Sequence, residues 1–452
     1  MLSDLLAARM QMAMSLAFHI VFAAVGIAMP LMMALAEWHW LRRKEEIALT
    51  LAKRWAQGTA ILFAVGAVSG TVLSFELGLL WPSFMEWAGG IIGLLFALEG
   101  FAFFTEAIFL GIYLYGWTRV PPYAHLAAGV VVAASGAASA VFVVTANAWM
   151  NTPTGFLLSA DLPPRPIQID PIAAMRNPAA LWQVVHMLLA AYAATGLLVA
   201  GIHAFLLLRD PRNRFHQLAF SISLLVGGVP ALLQPLTGDL LTRMVAEHQP
   251  VKLAAFEGLF QTEQGAAFRL GGIADMEAGE MRYALEIPGG LSLLLHFDPD
   301  ATVQGLDAVP LDQWPPVGIV HLAFQAMVAS GVAMAAVSLW AGSRWWRRRS
   351  LYESRPLLWA IVLASPLGFL AIEAGWTVTE VGRQPWIIQG VMRTAAAVTP
   401  MPGLIVPLIT MTALYLFLSA VVLWLLFRHI AASPQTVRRP PVIRLERRRK
   451  AA

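Results

Sequence analysis

The sequence predicts an all-α integral membrane protein with about nine transmembrane helices. Of its 452 residues 58% are hydrophobic and only 13% are charged, whereas a soluble domain is less apolar and about twice as charged. Apolar stretches of about 20 residues, the length that crosses about 30 Å of hydrocarbon, recur along nearly the whole chain. We therefore expect one membrane domain, 1–452, rather than several soluble domains.

The predicted spans follow one another at short intervals in the first half of the chain and after one long connection in the second. They fall near 14–38, 55–80, 91–116, 125–148, 180–208, 216–236, 316–341, 357–378 and 404–428.

Lysine and arginine predict the orientation. Of the 31 in the chain, 22 fall in alternate connections and in the tail that follows the last span. By the positive-inside rule the N-terminus lies outside, and the basic tail 429–452 is cytoplasmic. The N-terminal segment lacks the short apolar core and cleavage site of a signal peptide, so we expect it to stay uncleaved. Membrane orientation, with lipid as a partner and no nucleic acid, accounts for the net charge of +4.

The connection 237–315 is long, mostly polar and predicted to lie outside. Loops of this length between transmembrane helices are often functional. We therefore expect it to be a binding element.

Histidines in or beside the spans are candidates for haem ligation. The chain has no cysteine, which excludes disulfides, iron–sulfur clusters and covalently attached c-type haem. His19, His186 and His321 lie in or near the outer halves of their spans, and Met327 and Glu380 are predicted at a similar depth. A His–Met pair suits a low-spin haem, and a lone His or carboxylate leaves an iron position open for oxygen. For each residue alone, ordinary packing is the competing interpretation.

Two carboxylates, Glu99 and Glu106, lie seven residues apart in the third span. This spacing puts them on one face of a helix, about 10 Å apart along its axis. Carboxylates inside a membrane usually have a function, and a line of them suits a proton path. The competing interpretation is a hydrogen bond to a neighbouring helix.

Four strings identify a family. They are EAGWTVTEVGRQPW at 373–386, VKLAAFEG at 251–258, NAWMNTPTG at 147–155 and ALEG at 97–100. On these motifs the chain resembles subunit I of cytochrome bd-type quinol oxidases, from about His19 to Trp386. The first string is the most specific and the last is weak in isolation.

The resemblance implies residue roles. His186 and Met327 would ligate a low-spin b-type haem. His19 and Glu380 would ligate a high-spin b-type haem and a d-type haem, in an order that differs between members. Trp376 and Arg383 would flank these haems, Lys252 and Glu257 would bind quinol, and Glu99 and Glu106 would conduct protons from the cytoplasm.

The resemblance also implies an activity and partners. The enzyme would oxidise ubiquinol or menaquinol at the outer face of the bacterial cytoplasmic (inner) membrane and reduce O2 to water. It would generate proton motive force without pumping. The implied partners are subunit II and, in some members, a small single-helix subunit.

Two features depart from the family's common pattern. Gln325 stands where some members have arginine, which should change the potential or stability of the low-spin haem. The connection 237–315 is of the short type, and SGTVLSFELGLLWPSFM at 69–85 favours the cyanide-insensitive branch. In that branch a b-type haem can replace the d-type haem.

Two alternatives remain open from the sequence. A proton-coupled transporter using Glu99 and Glu106 would bind no haem. A b-type membrane cytochrome without oxygen reduction would bind haem but show no carbon-monoxide-reactive species.

Overall fold

The computed structural model describes residues 3–161 and 163–431. Within these ranges nine helical segments are long and apolar enough to cross a membrane, which confirms the predicted number. Eight are single helices and one consists of two consecutive helices. Their bounds are α1 Asp4–Arg43, α2 Glu46–Leu80, α3 Pro82–Tyr115, α4 Pro122–Asn151, α6 Ala180–Leu207, α7 Arg214–His248, α10 Val317–Trp346, α11 Arg355–Ala364 with α12 Leu367–Val381, and α14 Ile405–Ala431.

The helices differ from the predicted spans in length and continuity. Most extend beyond the apolar core, and α7 continues to His248, so the first residues of the predicted connection are helical. The eighth span breaks between α11 and α12 at Pro366, because proline has no amide hydrogen to donate within a helix. The predicted tail 429–452 lies outside the described residues, apart from the last three residues of α14.

Consecutive membrane helices pack as antiparallel neighbours, notably α1 with α2, α3 with α4, and α6 with α7. The α6–α7 pair shows how close this packing is. A Cβ added to Gly196 would lie 2.4 Å from the backbone of Gly227. Small residues of this kind allow helix backbones to approach closely inside a membrane.

Three connections fold over the end of the bundle that the sequence predicts to face outward. The first, between α4 and α6, contains β1 Leu157–Leu158, β2 Pro166–Ile167 and α5 Pro171–Met175. The last, between α12 and α14, contains β9 Trp386–Ile388, β10 Met392–Arg393 and α13 Thr394–Ala397. The orientation of this end in the bilayer remains a prediction.

The longest of these connections, between α7 and α10, carries several short elements. They are α8 Pro250–Glu257, β3 Glu263–Gln264, β4 Phe268–Leu270, β5 Ile273–Asp275, β6 Glu280–Arg282, β7 Leu285–Ile287, α9 Gly290–His296, β8 Thr302–Val303 and 3₁₀ turns at Leu306–Ala308 and Leu311–Gln313. The strands pair antiparallel as β3–β8, β4–β7 and β5–β6. The core of this connection packs α8 onto α10 and α9 onto α7, which brings α8 against the bundle.

Candidate functional site

A cavity of about 350 Å³ lies among α6, α7, α8, α10 and α12. Its wall is largely apolar, but it includes five side chains that the sequence analysis selected: His186, Met327, Trp376, Lys252 and Glu257. An apolar cavity with a few convergent polar groups is typical of a cofactor or substrate site.

The hydrogen bond between His186 and Thr237 determines which nitrogen of the imidazole is free. His186 Nδ1 lies 3.1 Å from Thr237 Oγ1. The hydroxyl can donate its single proton to acceptors of its own helix, including the Gln234 carbonyl at 3.2 Å. In that arrangement Thr237 Oγ1 accepts from Nδ1, and Nε2 keeps its lone pair. Metal-ligating histidines are commonly oriented by such a second hydrogen bond.

Met327 lies on α10 at the wall of the same cavity. A Cβ added to Gly375 on α12 would come within 3.0 Å of Met327 Sδ. The absence of a side chain at Gly375 leaves the space that the thioether occupies.

His19 lies outside the cavity lining, between α1 and α2. Its Nδ1 is 3.0 Å from Ser69 Oγ, and Ser69 donates its own proton to the Val65 carbonyl at 2.9 Å. His19 Nδ1 is therefore the donor, and Nε2 is the free nitrogen. A Cβ on Gly70 would lie 2.9 Å from His19 Cε1, so the ring sits in a space that the glycine provides.

Glu380, at the end of α12, is bound on both oxygens. Its Oε1 accepts from Asn147 Nδ2 and its Oε2 accepts from Arg383 Nη2 at 2.6 Å. Arg383 is 3% exposed, and its Nε and Nη1 have no hydrogen-bond partner among the described residues. The indole Nε1 of Trp376 is likewise buried without an acceptor. Burial lowers the pKa of Arg383, while Glu380 acts to raise it.

These residues fit non-covalent haems. Two imidazoles each present a free nitrogen, a thioether has space against a glycine, and a carboxylate stands beside a buried arginine. Unpaired buried donors are costly, and the propionates of a haem are suitable acceptors for those of Arg383 and Trp376.

Lys252 and Glu257 occupy the two ends of α8 and both line the cavity. Lys252 Nζ donates to Asn151 Oδ1 and to Gln249 Oε1 at 2.5 Å. Burial, with the nearby Arg383, lowers the pKa of Lys252 to about 7.

Glu257 is 1% exposed, and neither of its oxygens has a hydrogen-bond partner within the described residues. Burial raises the pKa of Glu257 to about 8, against the opposing effect of Arg269. The side chain is an unpaired carboxyl group at a cavity wall, which suits exchange of a proton with a ligand.

Glu99 and Glu106 lie apart from the cavity, where α3 packs on α4. Ser139 donates to Glu99 Oε1 at 3.4 Å. Glu106 is 6% exposed and lies against Gly136, whose added Cβ would be 3.3 Å from the carboxylate. The two carboxylates thus share one face, as their spacing predicts.

Two other residues from the sequence analysis have structural roles. Both ring nitrogens of His321 lie within hydrogen-bond distance of backbone carbonyls, Phe256 O at 2.8 Å and Gly271 O at 3.0 Å, so no nitrogen remains for iron. Gln325 bonds the Arg269 carbonyl and the Gly271 amide, each at 3.1 Å. It ties the long connection to α10 and does not line the cavity.

The sequence analysis did not single out the residues that orient these groups. They are Ser69, Thr237, Asn147, Asn151, Gln249 and Ser139. Ser69, Asn147 and Asn151 lie inside the family-like segments at 69–85 and 147–155, and this position is the only sequence signal that marks them. The others have no local signal, because their role depends on contacts between helices.

Comparison with known proteins shows the family. The family model described as cytochrome bd terminal oxidase subunit I matches residues 7–434. A chain of Bacillus subtilis strain 168, provisionally named a cytochrome bd menaquinol oxidase subunit I, is 35% identical, covering 96% of this chain and 98% of its own. The cytochrome bd ubiquinol oxidase subunit 1 of the same strain is 32% identical, covering 95% of this chain and 94% of its own.

A solved structure gives the same result. The structure of bd oxidase from Geobacillus thermodenitrificans aligns with a TM-score of 0.89 and 39% identity, covering 96% of this chain and 99% of that one. Nine apolar helical segments in the described part of the chain and these relatives make it a multi-pass protein of the bacterial inner membrane. With a family model over nearly its whole length, the chain belongs to the family of cytochrome bd terminal oxidase subunit I, the haem-binding subunit of a quinol:oxygen oxidoreductase.

Proposed function

We propose that this subunit oxidises quinol at the α8 end of the cavity and passes the electrons through three non-covalent haems to O2. One observation carries the proposal: His186 and Met327 line the same cavity as Lys252 and Glu257. A substrate held by the second pair is thereby next to the cofactor held by the first, with no intervening layer of protein.

The chemistry of quinol oxidation matches the two α8 residues. Glu257 accepts a proton from one quinol hydroxyl as an electron leaves, since its carboxyl group has no other partner. Lys252, held by Asn151 and Gln249, donates a hydrogen bond to the other quinol oxygen. Residues 237–315 then act as an extracytoplasmic quinol-binding loop.

Free atoms on His186, Met327 and His19 support the proposed haem ligands, and Glu380 is included as the carboxylate beside the buried Arg383. His186 Nε2 and Met327 Sδ would hold a low-spin b-type haem. His19 Nε2 and Glu380 would hold a high-spin b-type haem and a d-type haem, or a third b-type haem, with the assignment open between them. Trp376 and Arg383 would bind propionates. When bound, these haems transfer electrons and reduce O2 to water.

Glu99 and Glu106 carry protons from the cytoplasm towards the oxygen site. Quinol releases its protons outside, and oxygen reduction consumes protons from inside. Charge separates without pumping, and each charge moved stores about 2.3 kcal/mol per 100 mV.

Family membership gives the chain a quinol substrate and a second subunit as partner. We further propose that a small single-helix subunit joins them and that membrane lipid surrounds the bundle. Relatives are named for both menaquinol and ubiquinol, so either remains a candidate substrate.

The test uses the purified complex of both subunits. Glu257→Gln should lower kcat/KM for quinol by about 10²-fold, which is the lower end of the range expected when a proton acceptor is lost. It should leave the haem spectrum unchanged. Glu277→Gln is the matched control, because it alters an exposed carboxylate of the same loop. Wild-type quinol oxidation by Glu257→Gln would refute the assignment.

Spectra test the ligands independently of turnover. His186→Ala should remove the low-spin b-type signal from the reduced-minus-oxidised spectrum, and His19→Ala should reduce the carbon-monoxide-reactive or high-spin signal. His39→Ala, on the same helix as His19, is the control. Retention of every haem signal by both test variants would reject the ligand set.

A further inference from the structure

We propose that Glu37, His125 and Tyr113 form the entry through which protons reach Glu106 and then Glu99. This inference rests on the proposed function, because it requires Glu106 and Glu99 to conduct protons. It extends the path to the end of the bundle that the basic residues predict to be cytoplasmic.

The α3 sequence continues the line of polar groups. Tyr113 follows Glu106 by seven residues, as Glu106 follows Glu99. The three residues therefore share one face of α3, about 10 Å apart along the axis at each step. Their order runs from the middle of the bundle towards the helix end at Tyr115.

Two glycines of α4 face this line. Gly136 lies against Glu106, where an added Cβ would be 3.3 Å from the carboxylate, and Gly129 lies against Tyr113, where a Cβ would be 2.6 Å from the ring. The glycines allow these two side chains of α3 to lie directly on the α4 backbone. The contact of α3 with α4 from Glu99 to Tyr113 is thus a seam with three polar side chains, and apolar Leu110 and Val132 pack in the same cluster as Tyr113.

Glu37 and His125 lie beside Tyr113 at the end of this seam, and the three residues form a buried polar set. Glu37 on α1 and His125 on α4 are 0% and 2% exposed, and Glu37 Oε1 lies 2.9 Å from His125 Nδ1. His125 Nε2 lies 2.9 Å from the Tyr113 carbonyl. Glu37 and His125 therefore connect α1 to both helices of the seam.

Two polar atoms of this set have no partner except each other. Glu37 Oε2 and the Tyr113 hydroxyl are both buried and make no other hydrogen bond among the described residues, and the tyrosine hydroxyl interacts with the Glu37 carboxylate by charge and hydrogen bonding. An acceptor beside a donor at the end of a carboxylate line suits proton transfer.

The Trp117 ring lies between this set and the helix end. It packs on the His125 ring with centroids 4.0 Å apart and the planes tilted by 39°, and Lys53 Nζ lies 5.3 Å from the Trp117 ring. Trp117 is partly exposed, and the following residues up to Tyr123 are mostly exposed. The entry is thus close to the surface.

The transfer requires only O–H and N–H bonds to form and break. A proton arriving at the Glu37–His125 pair is held by the pair. Glu37 then protonates the Tyr113 oxygen as the tyrosine releases its own proton towards Glu106. The remaining distance of about 10 Å along the axis requires water molecules as proton carriers, and the next proton from the surface resets the pair.

The experiment measures proton uptake during a single turnover of the fully reduced two-subunit oxidase in vesicles, after mixing with O2. Tyr113→Phe and Glu37→Gln should slow uptake by roughly 10²-fold and increase its solvent deuterium isotope effect. The haem difference spectra should match the wild-type spectra. A residue that only supported packing would change stability without changing the isotope effect.

Matched controls lie close to the tested residues in the chain. Tyr115→Phe alters a tyrosine that is 74% exposed on α3. Glu45→Gln alters a carboxylate just before α2, where it pairs with Arg214 at the surface. Both controls should take up protons at the wild-type rate.

Glu106→Gln distinguishes a failure of the proposed entry from a failure of the proton path in the proposed function. If Glu106→Gln is slow but Tyr113→Phe takes up protons normally, the entry is refuted and the proposed function stands. If Glu106→Gln is also normal, the proton path of the proposed function fails and the entry fails with it. Should Glu37→Gln not assemble, Tyr113→Phe decides the question, because it removes only the hydroxyl and keeps the buried aromatic ring.

Discussion

Gly375 and Met327 are in such close contact that an added Cβ on the glycine would lie 3.0 Å from Met327 Sδ. Because this contact is tighter than ordinary packing, Gly375→Ala should displace the thioether. Overpacking of this kind costs about 1–3 kcal/mol.

We therefore expect Gly375→Ala to convert much of the low-spin haem to a high-spin form, measured by the reduced-minus-oxidised spectrum. Gly342→Ala on α10 is the control, since nothing lies within 4 Å of its added Cβ. An unchanged low-spin signal in Gly375→Ala would argue against Met327 as a ligand.

Thr237→Val removes the hydroxyl that accepts from His186 Nδ1. Loss of such an orienting partner typically lowers metal affinity by about 10- to 100-fold, so the variant should lose low-spin haem more readily during a dilution or competition assay. Thr237→Ser keeps the hydroxyl and should behave like the wild type. Equal haem retention by the valine and serine variants would contradict the prediction.

Gly70→Ala should displace the His19 ring, because the new Cβ would lie 2.9 Å from Cε1. We expect it to reduce one high-spin haem signal while sparing the low-spin signal, as read from carbon-monoxide difference spectra. Gly78→Ala on the same helix has open space around its Cβ and should change nothing. Loss of the low-spin signal alone would overturn the assignment.

Quinol oxidation should depend on pH through Glu257. Burial raises the pKa of this carboxyl group to about 8, and only the ionised form accepts a proton. The value of kcat/KM for quinol should therefore rise as the pH increases towards about 8 and level off above it. Glu257→Gln should lack this rise, and a wild-type profile that falls across the same range would exclude Glu257 as the acceptor.

The number of membrane helices and the family were predictable from the sequence, because hydropathy and the string at 373–386 are local signals. The alternatives of a transporter and a cytochrome without oxygen reduction are disfavoured by the family match. The break at Pro366 and the extension of α7 to His248 were not predicted. They lie within or beyond apolar runs, where hydropathy alone does not mark helix ends.

The sequence predicts a set of candidate residues but not their arrangement. Depth along the helices groups His186 with Met327, which line one cavity, but it also includes His321, whose two nitrogens face backbone carbonyls. The pairing of Glu37 with His125 joins residues 88 apart in the chain, and no local pattern indicates it. The cyanide-insensitive branch and the identity of the third haem remain predictions.

Gln325 has a mechanical consequence. This side chain fastens the β4–β5 turn of the long connection to the helical turn that carries Met327. A shift of that connection when substrate enters must either pull on α10 or break both hydrogen bonds. Substrate binding should therefore cause a small shift in the visible absorption spectrum of the protein before any electron is transferred.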